Sequence, residues 1–474
     1  MKASPSLAFL VLTLGCGSLR AETATSNWPQ FRGANSSGLA DNAKPPAKIG
    51  PQEGLLWSID VPWSPSSPSV WGDRIFLTTF NEGQLETRCY KSADGQLLWA
   101  HGVKPANLED FHRTDGSPAA SSPATDGQRV VSYFGSFGLI CYNMEGAELW
   151  RYPLPVALSG GQYGSGTSPV IVGDRVILNR DQYRLSSLLA VDLKTGSKLW
   201  DTPRPDVAGS FGTPVLWKNN GVDEIVLAAR GHLKGYDLAT GKERWVVNGV
   251  TGFVCTTPVV FDGMLYFAAW SPASMDSPLP TWEEFAKKYD KNGDGVITYD
   301  EIGPGSDYYR GLDLNRDGKL TKEDFDLMKA GSVHCENVMV AVKPGGTGDI
   351  TATHVAWKFA KGLPYVPSPI EYDGRIYLVK DGGMITSLDP KTGVPFYVQE
   401  RIGAGDSYYA SPVAADGRIY VASLPGVLTV VKAGGDKPEI LHQVDFGDRI
   451  LATPALVGNK IYLRTAKKLW AFGP

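Results

Sequence analysis

Two short apolar runs separated by a polar turn recur eight times along this chain, each time opened by Ser-Pro or Thr-Pro. The instances are SPSVWGDRIFL from Ser67, SPATDGQRVVSY from Ser122, SPVIVGDRVIL from Ser168 and TPVLWKNNGVDEIVL from Thr213, then TPVVFDGMLYFAA from Thr257, SPIEYDGRIYLV from Ser368, SPVAADGRIYVA from Ser411 and TPALVGNKIYLR from Thr453. Such a pattern reads as strand, tight turn, strand. A second pair of runs follows in LLAVDLKTGSKLW (188–200), LKGYDLATGKERW (233–245), ITSLDPKTGVPFY (385–397) and TRCYKSADGQLLW (87–99). Here the turn glycine supplies a positive φ, and the terminal Trp gives the unit a large apolar face.

The prolines fall at 68, 123, 169, 214, 258, 369, 412 and 454, with successive gaps of 55, 46, 45, 44, 111, 43 and 42. Four short strands at this period make a β-propeller blade. The expected fold class is all-β, an eight-bladed β-propeller. The eighth copy has only about three strands before Pro474, and GLLWSIDV (54–61) has the pattern of the missing outer strand. Strands from both termini then close the ring and leave no open edge between the first and last blades.

The 111-residue gap marks an insertion, 271–337, between the second strand of the fifth unit, ending near Trp270, and the third, resuming at Asn337. Loops at that position share a face with the blade-to-blade connections, so the insert should project there. Its sequence DKNGDGVITYDE fits the EF-hand loop. Asp290, Asn292 and Asp294 supply side-chain oxygens, Gly295 the sharp turn, Val296 a carbonyl, Thr298 a held water and Glu301 a bidentate carboxylate, the oxygen cage that calcium takes. DLNRDGKLTKED repeats the pattern with Asp313, Asn315, Asp317, Gly318, Lys319 (carbonyl), Thr321 and Asp324. Two calcium sites are therefore expected, the second weaker because Asp324 is shorter than Glu. Trp282 to Tyr289 and Lys322 to Lys329 read as the flanking helices. Gly303, Pro304 and Gly305 interrupt the helix between the loops, which suits a bracing site better than an opening sensor.

Composition is globular, 42% apolar and 20% charged, with 54 Gly and 33 Pro for tight turns. The insert carries fourteen acidic and eight basic side chains, enough to account for the whole acidic excess of the chain without residues 1–21. No basic tract suggests nucleic acid. Residues 1–21 read as a signal peptide: Lys2, an apolar run Leu7 to Leu14, and cleavage after Ala21. The alternative is a lipid anchor on Cys16 in TLGC. Residues 22–53 form an N-terminal extension, and 54–474 the interrupted propeller. Either export route gives a periplasmic or secreted protein. Cys89, Cys141, Cys255 and Cys335 are too sparse for a disulfide scaffold. Cys255 and Cys335 bracket the insert, so they either pair across its base or stay as free thiols.

With these residues in view, the chain resembles the PQQ-like (pyrroloquinoline-quinone-like) β-propeller repeat family. The D-x-x-T-G-x-x-x-W turns match that family's tryptophan-docking motif, and WPQFRG (28–33) with SSGLA (36–40) is similar to the opening of its secreted members. The family includes quinoprotein alcohol dehydrogenases and an outer-membrane barrel-assembly lipoprotein, so the fold alone does not set the function. Those dehydrogenases carry adjacent cysteines at the quinone and hold calcium there through propeller residues; this chain has no Cys-Cys pair. No G-x-S-x-G, H-E-x-x-H or phosphate loop is present.

The expected function is non-catalytic: an exported, calcium-binding propeller that holds a protein or polysaccharide partner on the insert-bearing face. A PQQ-dependent oxidoreductase of alcohols or sugars and an envelope-assembly lipoprotein are the alternatives. The candidate pocket is a ring of polar groups in second-to-third-strand turns, namely Arg180, Asp181, Arg230, His232, Asp381 and Arg464. His112 and Arg113 lie nearby in the long first connection.

Overall fold

The computed structural model describes residues 27–112, 114–159, 163–182, 185–207, 209–272, 280–304, 313, 317–330 and 334–474. Residues 1–26, with Cys16 and Ala21, and also Arg113 and Asn315, lie outside the described residues. Eight antiparallel sheets of four consecutive positions each form the blades. Blade 1, for example, is Ser69–Trp71, Arg74–Asn81, Gln84–Lys91 and Leu97–Val103, and blade 3 is Val170–Val172, Arg175–Arg180, Ser187–Asp192 and Lys198–Pro203. Blade 8 takes Ala455–Val457, Lys460–Arg464 and Lys468–Phe472 from the C-terminal end. Its outer strand is Leu55–Asp60, with Ser58 opposite Trp470.

The recurring hydroxyls have a physical role that their spacing alone does not reveal. The backbone N–H of Ser67 donates to Ser122 Oγ at 2.8 Å, that of Ser122 to Ser168 Oγ at 3.0 Å, and that of Ser168 to Thr213 Oγ1 at 3.3 Å. Thr213 continues to Thr257 Oγ1 at 3.3 Å, Thr257 to Ser368 Oγ at 3.0 Å, Ser368 to Ser411 Oγ at 3.0 Å and Ser411 to Thr453 Oγ1 at 3.0 Å. Thr453 N–H returns to Ser67 Oγ at 2.9 Å and closes the circle. Each blade thus satisfies a buried donor of the blade before it, a contribution of about 1 kcal/mol per bond.

Neighbouring blades are also joined at their outer edges. The indole of Trp99 donates to Met144 O at 2.9 Å, that of Trp150 to Leu193 O at 3.0 Å and that of Trp200 to Leu238 O at 3.1 Å, each reaching the third-to-fourth-strand turn of the next blade. That turn needs glycine twice over. At Gly241 φ is +71°, and a Cβ there would lie 2.5 Å from the Trp200 ring. Blade 5 lacks such a turn, and Gly348–Asp349 instead adds a short parallel strand to the outer edge of blade 4, beside Trp245.

Residues 27–50 run across the end of the central channel and use the free edges of the inner strands. Trp28 exchanges two backbone bonds with Val70, Pro29 O accepts from Thr125 N–H, and Gln30 Oε1 accepts from Ile171 N–H. Asn35 pairs with both backbone groups of Leu216, Ala40 N–H donates to Ala414 O, and Lys44 N–H donates to Gly458 O. Strand edges that would otherwise be orphaned are thereby satisfied.

The insert leaves between Met264–Ala269 and Val338–Val342, the second and third strands of blade 5. Asn337 clamps its base: Oδ1 accepts from Ser271 N–H at 2.8 Å, and Nδ2 donates to Ser271 O at 2.9 Å.

Candidate functional site

The channel has a mouth because the blade-to-blade connections stop short of its axis. Two positions before each Ser/Thr-Pro hydroxyl stand Pro65, Ala120, Gly166, Phe211, Cys255, Val366, Tyr409 and Leu451, and all eight line one cavity of about 200 Å³. The hydroxyl positions form the layer beneath them. Phe31 of the crossing segment lines the end farther along the inner strands. The funnel is therefore mainly apolar, and Asp115 is the one charged side chain among its described lining residues.

Aromatic rings form an arc at the mouth. His112 lies 5.9 Å from Tyr163, Tyr163 6.5 Å from Phe211, Phe211 5.4 Å from Phe253, and Phe253 6.2 Å from Tyr365, centroid to centroid. Trp270 meets Tyr365 edge-on at 5.8 Å and is 43% exposed, at the root of the insert. The arc thus runs from the funnel to the stalk of the calcium-loop module. On the other side Arg449 pairs with Asp115 and donates to Thr114 O at 2.9 Å, fixing the long first connection at the rim.

Within that connection Glu109 is almost fully buried. Its Oε2 accepts from Ser165 Oγ at 2.7 Å, and its N–H donates to Ser136 Oγ at 2.9 Å. Burial raises its carboxyl to about 8, against the opposing pull of the Ser165 bonds and nearby Arg180. Burial likewise pushes the Cys255 thiol up to about 12, so it stays protonated at neutral pH. No disulfide joins Cys255 to Cys335, so the pairing across the base of the insert, one of the two alternatives left open by their spacing, is not formed.

The six polar residues singled out in the turns do not line this cavity. Asp181 forms a buried bidentate pair with Arg204, at 2.8 and 3.0 Å, and Arg180 donates to Pro155 O at 2.9 Å. His232 Nδ1 sits 2.8 Å from Asn248 Oδ1, Arg230 is half-buried in its turn, and Asp381 accepts from Tyr408 N–H at 2.8 Å. Arg464 is buried and donates to the carbonyls of Ser66, Thr78 and Pro62. Turn residues close to the blade core gain more from pairing inward than from facing a wet channel. The residues that do line the funnel were marked in the sequence by their fixed offset from each Ser/Thr-Pro.

In the insert the two loops lie side by side. Val296–Thr298 pairs antiparallel with Lys319–Thr321, Ile297 opposite Leu320, over a small core of Phe285, Ile297, Leu320 and Phe325. Asp290 accepts from Gly293 N–H at 2.7 Å and Gly295 N–H at 2.9 Å, with Gly295 at φ +77°. Asn292 Oδ1 accepts from Asp294 N–H, and Asp294 Oδ1 from Val296 N–H. Glu301 accepts from Thr298 N–H and Oγ1 at 2.8 and 2.9 Å, in a capping box at the one-turn helix Tyr299–Ile302. In the second loop Asp313 accepts from Asp317 and Gly318 N–H and from the Tyr299 hydroxyl. Asp317 accepts from Lys319 N–H, and Asp324 from Thr321. Among the described residues no three His, Cys, Asp or Glu side chains converge on one point. The donor set is nonetheless all oxygen, on a backbone already turned at both loop glycines, and it fits a hard divalent cation.

Fold and site together define an eight-bladed propeller, similar in part to the PQQ-like repeat type, that carries an insert with two EF-hand-like loops. Residues 81–249 match the family model described as outer membrane protein assembly factor BamB, and residues 287–303 and 311–329 match that of the EF hand. BamB from Moraxella catarrhalis superposes with a TM-score of 0.55 and 12% identity, over 89% of this chain and 99% of that one. The computationally designed Ika8 protein gives 0.53 and 12% over the same shares. At these identities the likeness is one of fold. A europium-containing methanol dehydrogenase gives 0.49 and 9%, over 96% and 99%. Among curated proteins there is no significant match. No helix among the described residues is long and apolar enough to cross a membrane.

Proposed function

We propose that this is an exported binding propeller, periplasmic or secreted, that receives a segment of a protein or polysaccharide partner in the central funnel, with the EF-hand module held beside the mouth by calcium. The observation that carries this reading is the aromatic arc from Tyr163 through Phe211, Phe253 and Tyr365 to Trp270. Aromatic faces give large contact area at low entropic cost and are enriched in binding hot spots. Both loops would hold calcium, through Asp290, Asn292, Asp294, Val296 O, Thr298 and Glu301, and through Asp313, Asn315, Asp317, Lys319 O, Thr321 and Asp324. The metal would order the module without taking part in chemistry. A tricarboxylate quinone would need cations in the funnel, and the charged lining residue there is an aspartate, which favours a binding role over PQQ chemistry. Export would follow cleavage after Ala21 or lipidation of Cys16.

The test places a photo-crosslinking phenylalanine at Phe253 or Tyr365, with Asp174 on the opposite face as control, and irradiates intact cells. A discrete adduct from the funnel positions alone is expected. Equal labelling from Asp174, or stoichiometric PQQ binding with dye-linked alcohol oxidation by the purified protein, would overturn the reading.

A further inference from the structure

Three arginines are fully buried in the propeller, and each meets the cost of burial differently. Arg204 is paired with Asp181 and bonded to the Tyr236 hydroxyl. Arg464 is surrounded by neutral oxygens, donating to Ser66 O, Ser66 Oγ, Thr78 O and Pro62 O. Arg32, 0% exposed, directs only Nη2 to oxygen, at 2.7 Å from Pro369 O and 3.4 Å from Ser37 O. Its Nη1 and Nε have no partner among the described residues. Burial pulls its pKa down to about 9, and no carboxylate opposes that effect.

The same segment buries two more unanswered groups, the Trp28 indole N–H and the Ser36 hydroxyl, both residues at 1% exposure or less. Other tryptophans that dock blade on blade find an oxygen, as Trp99, Trp150, Trp200 and Trp357 do. Every unanswered atom between residues 27 and 50 is thus able to donate, and what the segment lacks is an acceptor. The surrounding backbone is held in unusual conformations, with Arg32, Asn35 and Ser36 at φ +58°, +49° and +53°. Such strain persists only where neighbouring contacts impose it. Space is tight: a Cβ on Gly38 would lie 3.0 Å from Arg32 Nη2 and 3.1 Å from Pro412 O.

We infer that Arg32 binds a compact inorganic anion of chloride size at the closed end of the channel, which supplies the counter-charge the protein does not. The anion locks residues 27–50 across the inner strands and so acts on the fold, independently of what enters the funnel.

Crystals of the wild-type protein soaked in sodium bromide test this directly. An anomalous peak within hydrogen-bond reach of Arg32 Nη1 is the expected result, and only water density there would overturn the inference. In solution, the wild-type melting temperature should be higher in sodium chloride than in sodium gluconate at equal ionic strength, and Arg32→Met should abolish that difference. If Arg32→Met does not fold, the bromide crystal still decides. A wild-type protein equally stable in both salts would count against the site.

Discussion

The propeller and its insert solve the same problem, how to hold short elements together, in opposite ways. Each blade is braced by its neighbours through a hydroxyl-to-amide circle at the axis, with indoles laid on turn glycines at several rims, and the ring is closed by a strand from the far end of the chain. Among its described residues the insert has four buried apolar side chains in its core, Phe285, Ile297, Leu320 and Phe325, and two loops of acidic residues facing one another across a three-residue ladder. A core that small supplies too little burial to stand alone, and metal is the usual supplement. The propeller is braced redundantly, whereas the insert, on the function proposed above, would rely on bound calcium.

Deleting residues 27–61 should have the largest effect, since it removes both the closing strand and the channel segment. The expected outcome is loss of a soluble monomer with a cooperative melt, read by size exclusion and circular dichroism; a folded truncated ring would break the comparison. Trp200→Ala comes next. It removes a docked indole and should cost about 3–5 kcal/mol in urea unfolding of the propeller. Phe285→Ala, a similar truncation in the insert, should leave that main transition where it is. Gly241→Ala forces a Cβ against Trp200 in a left-handed turn and should cost about 1–3 kcal/mol.

The smallest effect concerns pH. Glu109 is raised from 4.5 to about 8, so the folded state favours its neutral form. The stability tied to that form is complete below the unfolded value and is lost as pH rises through the folded one. Glu109→Gln should therefore flatten the melting temperature between about pH 5 and 8 and be the more stable form at the upper end. An unchanged slope would remove Glu109 from the rim's support.

Much of this architecture was legible in the chain because it repeats. The Ser/Thr-Pro period fixed the blade count, the interrupted gap located the insert between strands of blade 5, and the Trp of GLLWSIDV pointed to the closing strand. Less legible was anything decided across blades. The partner of the Ser122 hydroxyl is an amide 55 residues earlier, and no local pattern says which neighbour it will face. Residues 27–50 have no periodicity, since they take their register from the inner strands of five blades rather than from their own sequence. The polar ring proposed around Arg180, Asp181, Arg230, His232, Asp381 and Arg464 followed from charge in turns, but burial turned most of those side chains inward. The funnel is lined instead by a register position occupied by residues as unlike as Gly166, Cys255 and Tyr409, where geometry is shared and chemistry is not.

The most direct test of the contrast between ring and insert is hydrogen exchange of the whole protein with millimolar calcium and with chelator. The account predicts that Trp282–Tyr289, Val296–Thr298 and Lys319–Thr321 are protected only in calcium, while blade strands such as Arg175–Arg180 and Lys460–Arg464 exchange at the same rate in both. Protection of the insert in chelator, or loss of protection across the blades with it, would contradict the account.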